Sequence, residues 1–152
     1  MTMKFLNKKL IQIFNIILYI MLNVVGAVLI KNNKILLPKR SSNLKKMPNM
    51  FEFPGGKVEK GEELREGLKR ELSEELCIDV DIEDIIEFPN NVLKTDGFIL
   101  TIFIVKKWKG ELTINPEINS EILEVDFDQL KNVEDLLDTD KQLIPSLLEF
   151  LI

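Results

Sequence analysis

The chain has 152 residues, no histidine, one cysteine and a formal net charge of −5. These counts exclude Ser-His-Asp and Cys-His catalysis, a histidine general base, an internal disulfide and a thiolate zinc site. Any metal must then be held by oxygen ligands, which favours Mg²⁺, Mn²⁺ or Ca²⁺, and the acidic balance gives no support to a nucleic-acid-binding surface.

The length suits one domain, and 45 % apolar residues can fill its core. Leu10 to Ile30 carries no charge and follows Lys4, Lys8 and Lys9. Its length alone suits a membrane span, but Gln12, Asn15 and Asn23 interrupt it and its second half reads as a strand. Val24–Ile30, the Asn32-Asn33 turn and Ile35-Leu36-Leu37 predict a β-hairpin. Taking Val24–Ile30 as a core strand leaves an apolar stretch too short to cross a bilayer. Residues 1–20 are thus a non-native lead-in before a working start at Met21, an extra helix, or a membrane-associating or targeting segment. The domain proper is expected over residues 21–152.

A basic loop follows, with Lys39, Arg40, Lys45 and Lys46 between Pro38 and Met50, and then the turn Pro54-Gly55-Gly56. Leu64, Leu68, Leu72 and Leu76 recur every four residues and predict a helix over Glu62–Leu76. Strands are expected at Val80–Phe88, Phe98–Val105 and Ile122–Phe127, with Asp96-Gly97 as a turn. Asp138–Leu151 reads as a C-terminal helix capped by Thr139, although Pro145 would strain it and move its start later. No internal repeat or low-complexity linker divides the chain.

On the predicted helix, Glu71, Glu74 and Glu75 are related by i+3 and i+4 and share one face. A charge run of this kind is ordinarily a solvated face laced with pairs to Lys69 and Arg70. The other reading is a hard-cation site in which divalent ions neutralise the carboxylates and bind a phosphate chain.

The full spacing separates the two. Gly56, five residues, Glu62, seven residues, then Arg70-Glu71-Leu72-x-Glu74-Glu75-x-x-Ile78 resembles the signature box of the Nudix hydrolases, G-x5-E-x7-R-E-U-x-E-E-x-G-U, where U is aliphatic. One fixed position departs: Cys77 stands where the family has glycine. A residue there must accept a left-handed conformation or shift the helix cap, and its plain reading is a small buried hydrophobe. Phe51–Glu59 is similar to the strand and loop entering the box in MutT-type enzymes, Lys107–Glu111 to their K/R-W-x-G-E element, and Val24–Arg40 to their first hairpin.

The resemblance implies an α/β Nudix fold: an α/β/α sandwich with a curved mixed sheet between the box helix and a C-terminal helix. It implies Mg²⁺, or alternatively Mn²⁺, on Glu71, Glu74, Glu75, the Gly56 carbonyl and a distal carboxylate, with Glu121 fitting slightly better than Glu117. Glu71 or the distal carboxylate would accept the proton of the attacking water. Glu62 and Arg70 would orient loop and helix within the catalytic box. Arg40, Phe53, Lys57 and Asp140 are the substrate-side candidates. Asp140 either hydrogen-bonds a base edge or only decorates a helix N-terminus. Lys57 either meets the phosphate chain or is simply solvated, Phe53 is simply core unless it lines the base pocket, and Trp108 is a core or edge aromatic.

The implied activity is hydrolysis of a nucleoside triphosphate to monophosphate and pyrophosphate, of the kind that clears 8-oxo-dGTP from the nucleotide pool in DNA repair. A cytidine-type triphosphate is the alternative that Asp140 leaves open. Leu36–Ser41, Lys45 and Asn49 share the spacing of the coenzyme-A hydrolase element, although Pro38, Lys45 and Asn49 replace its Thr, Arg and Gly. Tyr19, the sole tyrosine, lies upstream of the box and so does not match the diadenosine-polyphosphate pattern. A non-catalytic Nudix-fold binding module ranks low because every box carboxylate is kept. The expected partner is the nucleotide, in a cytoplasmic protein without stable nucleic-acid binding. Membrane association would run through residues 1–20 alone.

Overall fold

A computed structural model describes residues 3–152. Helix α1 (Met3–Ile20) leads into a seven-stranded mixed sheet. Its strands are β1 (Leu22–Lys31), β2 (Lys34–Arg40), β3 (Gly55–Lys57), β4 (Ile85–Ile86), β5 (Val92–Lys94), β6 (Phe98–Val105) and β7 (Asn119–Asp126). The order is β4-β6-β1-β2-β7, with β3 pairing on β1 and β5 on β6. β1 runs parallel to β6 and antiparallel to β2 and β3.

The middles of the central strands β1 and β6 are nearly all apolar because both faces are covered. Alternation sorts their side chains. Val25, Ala27 and Leu29 of β1, with Phe103 and Val105 of β6, pack with Leu68, Leu72 and Leu76 of helix α2 (Leu64–Leu76). Val28 and Ile30, with Leu100, Ile102 and Ile104, pack with Leu143, Ile144 and Leu147 on the other side. The expected two-faced α/β arrangement is therefore present. In the β1–β2 hairpin, Asn32 and Asn33 have φ of 52° and 58°, the type I′ geometry that matches strand twist.

Several elements depart from the sequence expectation. Val80–Phe88 is not one strand. Asp81, Ile82, Glu83 and Asp84 close a 3₁₀ turn, in which the Asp84 N–H donates to the Asp81 carbonyl at 3.0 Å, and only Ile85–Ile86 pairs with β6. Acidic residues at alternate positions suit a solvated turn better than a strand buried on both faces. The C-terminal helix is split into α3 (Asp138–Lys141) and α4 (Ile144–Leu151), with Pro145 in the first turn of α4, where its missing N–H costs nothing. Thr139 lies inside α3, and Leu137 precedes it in the cap position. Helix α2 starts two residues later than expected, where the Glu63 N–H donates to the Glu66 carboxylate at 3.3 Å. β7 begins three residues before the expected Ile122, and β5 lies where the sequence predicts no strand.

Cys77 caps α2 in the left-handed conformation, φ 59° and ψ 26°, and is exposed rather than buried. The chain therefore keeps the backbone turn that glycine would make, and the thiol projects outward from it.

Candidate active site

The site assembles where the Gly55–Lys57 strand crosses the C-terminal half of α2. Gly55 and Gly56 pair with Gly26 and Val25. The approach is so close that a Cβ on Gly55 would lie 1.9 Å from the Val25 carbonyl oxygen. A Cβ on Gly56 would lie 2.5 to 2.6 Å from the Glu71 carboxylate. Glycine at 56 thus lets backbone and carboxylate share one cradle.

Arg70 organises the acidic residues. Its Nε and Nη2 donate to the two Glu62 oxygens at 2.8 and 3.0 Å, a bidentate pair. Nη2 also donates to the Lys57 carbonyl at 2.9 Å, and Nη1 donates to Glu71 at 3.0 Å and Glu74 at 3.2 Å. Glu62 in turn accepts the Glu59 N–H at 2.8 Å. The Arg70 hydrogen bonds hold the Glu62 carboxyl below its usual range, and the Glu62 bond holds the Arg70 guanidinium firmly charged. Glu62 and Arg70 therefore fasten the glycine loop to α2.

Glu71 and Glu75 lie deeper. Glu75 Oε2 is buried and has no hydrogen-bond partner. Burial first, then the charges of Glu52 and Glu71, push the Glu75 carboxyl up to about 9. A buried, unpaired carboxylate oxygen beside a second carboxylate and a side-chain-free backbone is a donor set for a hard cation, which would supply the missing charge. Glu74 is turned outward to Arg70 and is 60 % exposed. Among the described residues, no three acidic side chains are placed to hold a metal ion together as they stand. Glu121, the expected distal carboxylate, faces Lys39 at 3.6 Å on the neighbouring strand. Glu117 lies exposed in the preceding loop.

Two residues that the sequence reading left out line the same region. Glu52 lies between buried Phe51 and Phe53 and is only 12 % exposed. It accepts from Arg40 Nη1 at 3.1 Å, with Asn119 beside it, and burial raises its carboxyl above the usual range despite Arg40. Asn119 is fully buried; its Nδ2 donates to the Lys39 carbonyl at 3.3 Å and its Oδ1 is unpartnered. The available signal for Glu52 was alternation: an acid between two core phenylalanines must point to the opposite side, toward the site.

The substrate-side candidates divide. Arg40 is already occupied: besides Glu52, it donates to the carbonyls of Lys46 and Met47 at 2.8 to 3.2 Å and so shapes the 41–50 loop. Phe53 is buried, and its N–H donates to Asp140 Oδ2 at 2.9 Å. Asp140 is itself 3 % exposed, and burial pushes its carboxyl up to about 7, opposed by the Phe53 N–H and assisted by Glu52. Asp140 and Phe53 thus meet directly, joining α3 to the segment entering the glycine turn. Lys57 is exposed, with its carbonyl held by Arg70. Trp108 is half-buried against the α2 side of the sheet.

A NUDIX domain model matches residues 21–147. The chain belongs to the Nudix family. An 8-oxo-dGTP diphosphatase of Proteus vulgaris is 34 % identical over 88 residues, covering 58 % of this chain and 78 % of that protein. An RNA pyrophosphohydrolase of Campylobacter jejuni is 35 % identical over 117 residues, covering 69 % and 70 %. The solution structure of the Escherichia coli ORF135 protein superposes with a TM-score of 0.71 at 27 % identity, covering 86 % of this chain and 91 % of that one. The chain is thus a MutT-like Nudix hydrolase, a pyrophosphohydrolase by family. Divalent cations are the general cofactors of Nudix hydrolases, and nucleotides their substrates.

Proposed function

We propose that this chain hydrolyses a nucleoside triphosphate to the monophosphate and pyrophosphate in a Mg²⁺-dependent reaction, with an oxidised purine such as 8-oxo-dGTP as substrate. The observation that carries the site is the buried, unpartnered Glu75 Oε2 beside Glu71, whose own carboxylate lies against Gly56. Glu71, Glu75 and the Gly56 carbonyl would hold the cation, with Glu74 joining once released from Arg70. A cation bound there would neutralise phosphate charge and make a water more acidic.

The residues present supply the rest. Arg70 and Glu62 keep the loop and helix in register, so the carboxylates are preorganised. Water attacks a phosphorus of the α,β anhydride, the bridging P–O bond breaks, and the departing phosphate group takes that bond's electron pair, giving monophosphate and pyrophosphate. With no histidine in the chain, a carboxylate of the cluster takes the proton released from the water. Asp140, fixed by the Phe53 N–H, would be the polar group that reads a base edge. The name of the Proteus vulgaris relative supports the 8-oxo-dGTP reading. We propose the domain as residues 21–152 and a cytoplasmic setting for this pool-cleaning role.

The Campylobacter jejuni relative supports a second reading, removal of pyrophosphate from a triphosphorylated RNA end, because its match is the longer one. One assay separates the two: pyrophosphate release with Mg²⁺ from a panel of 8-oxo-dGTP, dCTP, CTP, coenzyme A and 5′-triphosphorylated RNA. Preference for 8-oxo-dGTP by kcat/KM supports the proposal. Preference for the RNA replaces it, and turnover of none of them contradicts both.

A further inference from the structure

Helix α1 has no role in the site described above, yet it carries a strong pattern. Leu10, Ile13, Phe14 and Ile17 follow i, i+3, i+4, i+7 spacing and form one apolar stripe. They are 56, 46, 62 and 52 % exposed, so the domain does not cover them. Lys8 and Gln12 fall on the opposite face.

The helix itself is basic: it carries Lys4, Lys8 and Lys9 and no acidic residue. Lys45 and Lys46 are exposed on the loop that leaves β2. Because β2 runs antiparallel to β1, that loop lies at the end of the sheet where α1 joins β1. An apolar stripe rooted beside basic side chains is complementary to a surface that is both apolar and anionic.

Spanning is excluded by geometry. No helix among the described residues is long and apolar enough to cross a membrane. At 18 residues α1 is about 27 Å long, against a hydrocarbon core of ~30 Å, and it carries Lys8 and Lys9. The apolar run cannot be extended through Ile30, since Leu22–Lys31 is the strand that pairs with β2, β3 and β6.

We infer that α1 lies flat on an anionic lipid bilayer and holds the hydrolase at the membrane surface. Leu10, Ile13, Phe14 and Ile17 insert below the headgroups, while the lysines stay with the lipid phosphates. Each lysine near such a surface strengthens binding by roughly fivefold at low salt.

The test is co-sedimentation of the full chain with phosphatidylcholine vesicles containing about 30 % phosphatidylglycerol, beside pure phosphatidylcholine vesicles. Binding to the anionic vesicles at least about tenfold tighter than to the neutral ones is expected, with release by roughly 0.5 M salt. The exposed double substitution Phe14→Asp/Ile17→Asp should weaken binding by about tenfold or more, and Lys8→Glu/Lys9→Glu likewise, with nucleotide turnover and thermal stability unchanged. No binding to anionic vesicles, or equal binding by the Phe14→Asp/Ile17→Asp chain, overturns the inference. So does a dimer in solution that this double substitution dissociates, because the stripe would then be covered by a second copy.

Discussion

The Cys77 departure from the Nudix box makes a quantitative prediction. Cys77 has φ 59° and ψ 26°, is exposed, and its N–H donates to the Ser73 carbonyl at 3.2 Å. A side chain in the left-handed region costs roughly 1–2 kcal/mol, while glycine loses about 0.5–1 kcal/mol more backbone entropy on folding. The thiol makes no buried contact that glycine would forfeit. Cys77→Gly should therefore stabilise the domain by about 0.5–1 kcal/mol. Unfolding entropy of about 2.1 cal/mol/K per residue converts this to a Tm rise of roughly 1–3 °C for a chain of this size. Differential scanning calorimetry with Cys77→Ala as control is the assay, since alanine keeps the strain and removes only the thiol. Cys77→Ala should not gain stability. A Tm for Cys77→Gly at or below that of Cys77→Ala would refute the claim that this cap is strained.

The remaining predictions concern the site. Gly55→Ala forces a Cβ to 1.9 Å from a backbone oxygen and should cost more than about 3 kcal/mol by denaturant titration, whereas Gly97→Ala, with nothing within 4 Å, should stay within about 0.5 kcal/mol. Asp140 has a folded carboxyl at about 7 against an ordinary 3.8, so the native state holds the proton more tightly than the unfolded state does. Its contribution is fully favourable below about pH 4 and is lost as pH rises toward 7, on the order of 2–4 kcal/mol. Asp140→Asn, which can still accept the Phe53 N–H, should flatten that part of the stability–pH curve; an unchanged slope between pH 4 and 7 counts against the burial argument. Glu75, held up to about 9, is protonated at neutral pH, so Mg²⁺ binding should release about one proton. Titration calorimetry in two buffers of different ionisation enthalpy measures it, and no release means that the ion does not displace a proton from Glu75.

The sequence made some of this legible for identifiable reasons. The β1–β2 hairpin and β6 were readable because long apolar runs next to Asn-Asn and Asp-Gly turns leave few alternatives. Helix α2 was readable from its four leucines, since Leu68, Leu72 and Leu76 fill one face of the sheet. Val80–Phe88 misled because apolar and acidic residues alternate there as in a strand, yet the acids close a turn. Asp138–Leu151 kept helical periodicity across Pro145, and only the backbone shows where it breaks. In the site, the box spacing pointed to Glu62, Arg70, Glu71, Glu74 and Glu75, but not to how Arg70 divides them. Arg70 holds Glu62, Glu71 and Glu74 and leaves Glu75 Oε2 without a partner, a division that depends on rotamers rather than spacing. Glu52 sits in the segment entering the glycine turn while Asn119 comes from a strand far along the chain, so only the fold brings the two together.

The central claim is that Glu75 and its neighbours hold the cation that makes this chain a nucleoside triphosphate pyrophosphohydrolase. The most direct measurement is kcat for 8-oxo-dGTP with Mg²⁺, with monophosphate and pyrophosphate both quantified, for the native chain and Glu75→Gln. The account predicts equimolar products and a fall in kcat of about 100-fold or more with the fold intact by circular dichroism. Native-level turnover by Glu75→Gln, or release of single phosphate instead of pyrophosphate, would contradict it.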